Sequence, residues 1–83
     1  MSEFPQTIHV VDDDEAMRDS MTWLLEGEGY AVASYDSADS FLAAHSERMH
    51  GCIVLDVRMP QMSGLELHEK LDALGSRLPI IFV

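Results

Sequence analysis

Positive charge is what this sequence most lacks. Five lysines and arginines stand against fifteen aspartates and glutamates, a net charge of −10, and a chain this acidic does not grip nucleic acid or an anionic membrane by itself. Its natural counterparts are metal cations and basic protein surfaces. Cysteine is nearly as scarce: Cys52 lies alone in the apolar run CIVL, where it reads as a small buried residue of a reducing compartment rather than a redox or metal group. The histidines, His9, His45, His50 and His68, have no HxxxH or paired Cys/His spacing, which argues against zinc. No signal peptide is recognisable and no apolar run is long enough to span a bilayer, so the expected location is the cytoplasm.

What is present is a regular alternation. The 83 residues, 47% hydrophobic and 24% charged, suit one globular domain without room for a second. At this size folding buries roughly 60–65% of the unfolded surface, so the core is thin. Residues 6–11, QTIHVV, turn fully apolar before a run of acids, as a buried parallel strand meeting its loop does. From Glu15 to about Glu28 the spacing of Met17, Met21, Leu24 and Leu25 predicts an amphipathic helix with Trp23 at the edge of its stripe and Gly27 and Gly29 as its stop. A second strand is expected at 30–34. Ser37 then caps a helix whose inward face is Ala38, Phe41, Leu42 and His45. CIVLD at 52–56 is a third strand ending in a charge. Ser63 and Glu66 have the spacing of a capping box, opening a helix with Leu67, Leu71 and Leu74 inward and Gly75 at its end. PIIFV at 79–83 is a fourth strand. Strands and helices alternating through short connections build a parallel sheet with helices on both faces, an α/β fold.

Two of these strands end in acid, the first in Asp12, Asp13 and Asp14 and the third in Asp56. If the sheet has the 2-1-3 order of flavodoxin-like folds, the acids converge on one crevice beyond the carboxyl ends of the strands. Carboxylates that close raise one another's pKa or recruit a cation, and Mg2+, a hard ion that takes oxygen ligands and keeps several waters, suits them. Asp56, closing a buried strand, is the most informative of the four, because Ser63 already supplies the cap of the following helix. Beside a bound Mg2+ its carboxylate is placed to attack phosphorus in line.

VVDDDEA, LDVRMPQMSGLEL and LPIIFV together resemble the first, third and fourth strand regions of a response-regulator receiver domain, most closely its FixJ-type branch, over essentially the whole chain. The resemblance implies a flavodoxin-like, CheY-like sheet of order 2-1-3-4 and a phosphoryl group passed to Asp56 from a phosphohistidine on a sensor histidine kinase. It further implies that Asp12 and Asp13 hold Mg2+ with Asp56 and the backbone carbonyl of Arg58, and that Pro60 and Gly64 shape the loop. Asp14 and Glu15 fall where a helix begins, and acids there complement its dipole.

The family pattern also contains a fifth strand and two more helices, with a switch Ser/Thr following the position of Val83, a lysine that contacts the phosphoryl oxygens and an aromatic residue. None has a counterpart in these residues, and Lys70 is no substitute. On this reading the chain is the N-terminal part of a receiver domain, ended by design or cleavage, and it keeps Mg2+ binding while phosphotransfer suffers for want of the lysine's charge. The fourth strand becomes an apolar edge, so self-association by edge pairing or exchange of elements is expected. In the FixJ branch the output is usually a helix-turn-helix DNA-binding domain on the same polypeptide; no nucleic acid or membrane is expected to bind this chain itself. Two other readings stay open. Asp12 and Asp14 supply the D-x-D of a haloacid-dehalogenase-like phosphatase, and a receiver-like interaction module that never takes phosphate would share the fold.

Overall fold

The computed structural model describes residues 7–46, 48–56 and 63–83. Seven elements follow one another: β1 (Thr7–Val11), α1 (Glu15–Gly27), β2 (Ala31–Tyr35), α2 (Ala38–Ala44), β3 (Cys52–Leu55), α3 (Gly64–Ala73) and β4 (Ile80–Phe82). The four strands form one parallel sheet in the order β2-β1-β3-β4, the α/β architecture and strand order expected. No helix among the described residues is long and apolar enough to cross a membrane.

Side chains alternate across a strand, and here each face has its own cover. Val11, Ile53 and Leu55 are fully buried with Ala38 and Phe41 of α2 and Leu67 and Leu71 of α3. His9 joins this side: buried in β1, it sets its ring edge-on to Phe41 at 5.9 Å. Its Nε2–H donates to the backbone carbonyl of His50 at 3.0 Å, which leaves Nδ1 to accept from the Tyr35 hydroxyl at 3.3 Å. A buried polar ring in mid-strand is thereby satisfied at both nitrogens.

α1 lies against β1 and β2, and none of its residues is buried. Met21 and Leu25 are half-buried, but Met17 and Leu24 are 52% and 61% exposed and Trp23 76%. The apolar stripe read from the sequence is real, and only half of it meets the sheet. Leu74, expected inward, is also exposed: α3 ends at Ala73, and Leu74 is its C-cap. Gly75 follows at φ +76°, with its N–H on Asp72 O and that of Ser76 on Leu71 O. That pair of bonds is a Schellman turn, and the left-handed position it needs is one that glycine adopts without steric penalty. The same pair closes α1, where Tyr30 N–H reaches Leu25 O; Tyr30 is consumed by the turn, so β2 begins one residue later than the sequence suggested.

Candidate functional site

β1 and β3 are the two central strands and pair in register, Val11 beside Leu55. Asp12 and Asp56 are the next residues on each, so both emerge from the same edge of the sheet. Asp56 N–H donates to Val11 O at 3.1 Å and Asp12 N–H to Tyr35 O at 3.2 Å. The main chains of β1, β2 and β3 are thus tied together where the acids begin. Asp13 follows Asp12, and one carboxylate oxygen from each of Asp12, Asp13 and Asp56 lies within 4.8 Å of the others. Asp12 is buried at 4% exposure, Asp56 is half-buried and Asp13 faces solvent.

The loop from β1 to α1 is held by its own side chains. Asp12 Oδ1 accepts the N–H of Asp14 at 2.9 Å, an Asx turn that sets the chain's direction after the strand. Asp14 is the N-cap of α1: its Oδ1 accepts from Ala16 N–H at 3.0 Å and Met17 N–H at 3.2 Å. Two of the helix's orphan donors are satisfied, and Glu15 adds a favourable charge in the first turn. Asp14→Ala should therefore lower stability by about 1 kcal/mol, read as a reduced urea midpoint at unchanged slope.

Electrostatics mark Asp12 as the strained member. Its carboxyl is raised above the ordinary carboxylate value, first by burial and then by the charges of Asp56, Asp13 and Asp14, against which the Asp14 N–H bond pulls it down. Excess negative charge crowded on hard oxygen donors is what a small divalent cation relieves. The cluster of three carboxylates, with neither histidine nor cysteine in it, fits Mg2+ better than a softer metal.

The structure therefore brings together Asp12, Asp13 and Asp56 and separates Asp14 from them. Asp14 Oδ1 is committed to two helix amides as the cap of α1, and Asp14 is not a member of the carboxylate cluster that the D-x-D phosphatase reading would build on it. Arg58 and Pro60, named from the sequence, lie outside the described residues. Gly64 is the first residue of α3, buried, behind the Ser63 cap whose Oγ accepts from Glu66 N–H at 3.1 Å. One residue escaped the sequence reading: Arg18 of α1, whose Nη1 donates to the carbonyl of Asp12 at 2.8 Å.

A doubly wound parallel sheet with acids converging from its two central strands defines a class of signalling domain, and residues 8–83 match the family model "Response regulator receiver domain". The chain belongs to that family. Among curated proteins it is 49% identical over 77 residues to the transcriptional regulatory protein TdiR of Thauera aromatica, covering 93% of this chain and 34% of that protein. It is 50% identical over 74 residues to the transcriptional regulatory protein FixJ of Azorhizobium caulinodans, covering 89% and 35%. The chain thus spans about a third of the length of these relatives. Among solved structures, the response regulator StyR superposes with a TM-score of 0.91 at 44% identity, over 95% of this chain and 40% of that one. The FixJ-N crystal structure gives 0.90 at 40% identity, over 99% and 64%.

Proposed function

We propose that this chain is the phosphoacceptor part of a two-component response regulator, and that Asp56 accepts a phosphoryl group from the phosphohistidine of a sensor histidine kinase. The observation that carries this reading is the convergence of Asp12 and Asp13 from β1 on Asp56 from β3. In the transfer a carboxylate oxygen of Asp56 forms a bond to phosphorus while the phosphorus–nitrogen bond of the donor breaks. The imidazole leaves with the bonding pair, and Asp56 becomes an acyl phosphate. Asp12 and Asp13, with Asp56 and the carbonyl of Arg58, would hold Mg2+, which when bound offsets charge on the phosphoryl oxygens. Burial of Asp12 fixes its carboxylate before the ion arrives, and the half-exposed setting of Asp56 leaves a face open to the donor. The regulator as a whole would act on transcription, as the names of TdiR and FixJ, both transcriptional regulatory proteins, state for those proteins, and a DNA-binding output domain on the same polypeptide would carry that action.

Mass spectrometry after incubation with a small phosphodonor and Mg2+ tests the reading. A phosphoryl adduct mapped to Asp56 supports it and an adduct on Asp12 supports the phosphatase alternative; the same measurement on the full-length regulator separates the interaction module, which would bind Mg2+ there and still take no phosphoryl group.

Self-association is the second part of the proposal, with another copy of this chain as the occupant. Among the described residues β4 pairs only with β3, and Ile81, Phe82 and Val83 are 53%, 40% and 58% exposed. An apolar strand with an unpaired edge is a template for another strand. Sedimentation velocity across micromolar concentrations should show a species larger than one chain, and Ile81→Lys should return it to the monomer. A wild-type chain that sediments as a monomer throughout rules the proposal out.

A further inference from the structure

We propose that Arg18 is a positioning residue for the three-aspartate site, holding the Asp12–Asp13 peptide so that both carboxylates point at Asp56. The inference rests on reading that site as the Mg2+-dependent phosphoacceptor. Its starting point is a residue that violates a local rule. α1 begins at Glu15, so Arg18 is the fourth helical residue, close to the positive end of the helix dipole, where a cation is disfavoured. What offsets that placement is its bond at 2.8 Å to the carbonyl of Asp12, a hydrogen bond strengthened by the guanidinium's charge.

The consequence lies in what the carbonyl controls. The Asp12 carbonyl belongs to the planar peptide that joins Asp12 to Asp13. Fixing that oxygen fixes the orientation of the plane and, through it, the direction in which Asp13 leaves the backbone. With Arg18 in place both main-chain polar groups of Asp12 and one of its carboxylate oxygens have partners: its N–H meets Tyr35 O, its Oδ1 meets Asp14 N–H and its carbonyl meets Arg18. The guanidinium contacts a main-chain oxygen rather than a carboxylate, so it orients the cluster without occupying the place of a metal. Its charge is also felt at Asp36, just before α2, which is held below the ordinary carboxylate value first by the Ser40 hydroxyl and further by Ser37 and the charge of Arg18.

The test compares wild type with Arg18→Met, which keeps much of the aliphatic stem and loses the donors, by calorimetric Mg2+ titration of the full chain. Outer partners of metal ligands typically govern affinity by about 10–100-fold, so R18M should bind Mg2+ about tenfold more weakly. Phosphoryl uptake by R18M should lag at low Mg2+ and approach the wild-type rate at saturation, because the acceptor itself is intact. Arg18→Lys, retaining one charged donor, should fall between the two. A folded R18M with wild-type Mg2+ affinity overturns the role of Arg18 and leaves the phosphoacceptor reading standing, whereas a wild-type chain that binds no Mg2+ overturns both. If R18M does not fold, the wild-type protein carries the test by NMR: the Arg18 Nη–H signals should move with Mg2+ at the same midpoint as the Asp12 and Asp13 amides, and signals that ignore the metal overturn the proposal.

Discussion

Asp56→Asn should abolish the phosphoryl adduct while leaving the fold in place. Asparagine has nearly the shape of aspartate, and the backbone bond that anchors this position, Asp56 N–H to Val11 O at 3.1 Å, does not involve the side chain. An amide oxygen is a poor nucleophile, and removing a nucleophile that forms a covalent intermediate lowers rates by ~10^4-fold or more. The adduct should therefore vanish from the mass spectrum on any practical timescale, with the circular dichroism of the variant unchanged. A D56N protein that still gains one phosphoryl group would place the acceptor elsewhere, and peptide mapping would say where.

Asp12→Asn should separate stability from metal binding and move them in opposite directions. In the metal-free protein the Asp12 carboxyl sits above its ordinary value because of burial and the charges of Asp56, Asp13 and Asp14. A folded-state pKa raised in this way means that the folded protein holds the Asp12 proton more tightly than the unfolded chain does. Stability from this group is fully present below the unfolded value of about 3.9 and is lost as pH rises through the folded value. At neutral pH the ionised carboxylate is thus a liability. D12N removes it and keeps a side-chain oxygen able to accept the Asp14 N–H, so in EDTA the variant should melt above wild type, with the difference shrinking in acid. Mg2+ should reverse the order: it raises the wild-type melting temperature by mass action, while D12N, lacking a ligand, binds it at least ~100-fold more weakly. Thermal melts of both proteins with EDTA and with Mg2+ decide the matter, and a D12N protein that melts below wild type in EDTA would refute the electrostatic account.

The features legible in the sequence were those with a local signature. Ser37 and Ser63 announce α2 and α3 and are their N-caps, and the apolar runs that end in Asp12 and Asp56 are the central strands. The converging acids were legible because parallel strands put all their carboxyl ends on one side. What was lost has no period to read. The half-covered stripe of α1 depends on which strands lie beneath the helix, and Leu74 is exposed because a Schellman turn ends α3 one residue before it. His9 reads as one histidine among four until β1 sets it between Tyr35, Phe41 and the carbonyl of His50. Arg18 reaches a backbone oxygen six residues earlier, a contact that no spacing rule anticipates, although a cation in a helix's first turn was a sign that something beyond propensity had placed it.

The strand order carries one more implication. Asp12, Asp13 and Asp56 all rise from β1 and β3, each flanked by a strand on both sides, while β2 and β4 form the rims. Local opening starts where strands have one neighbour and exposed side chains, and β4, with Phe82 and Ile81 exposed, is such a place. The pairing of Val11 with Leu55 lies on the other side of β3 from β4. The three carboxylates are therefore carried by the two strands that have a neighbour on each side, and the strands with one neighbour carry none of them.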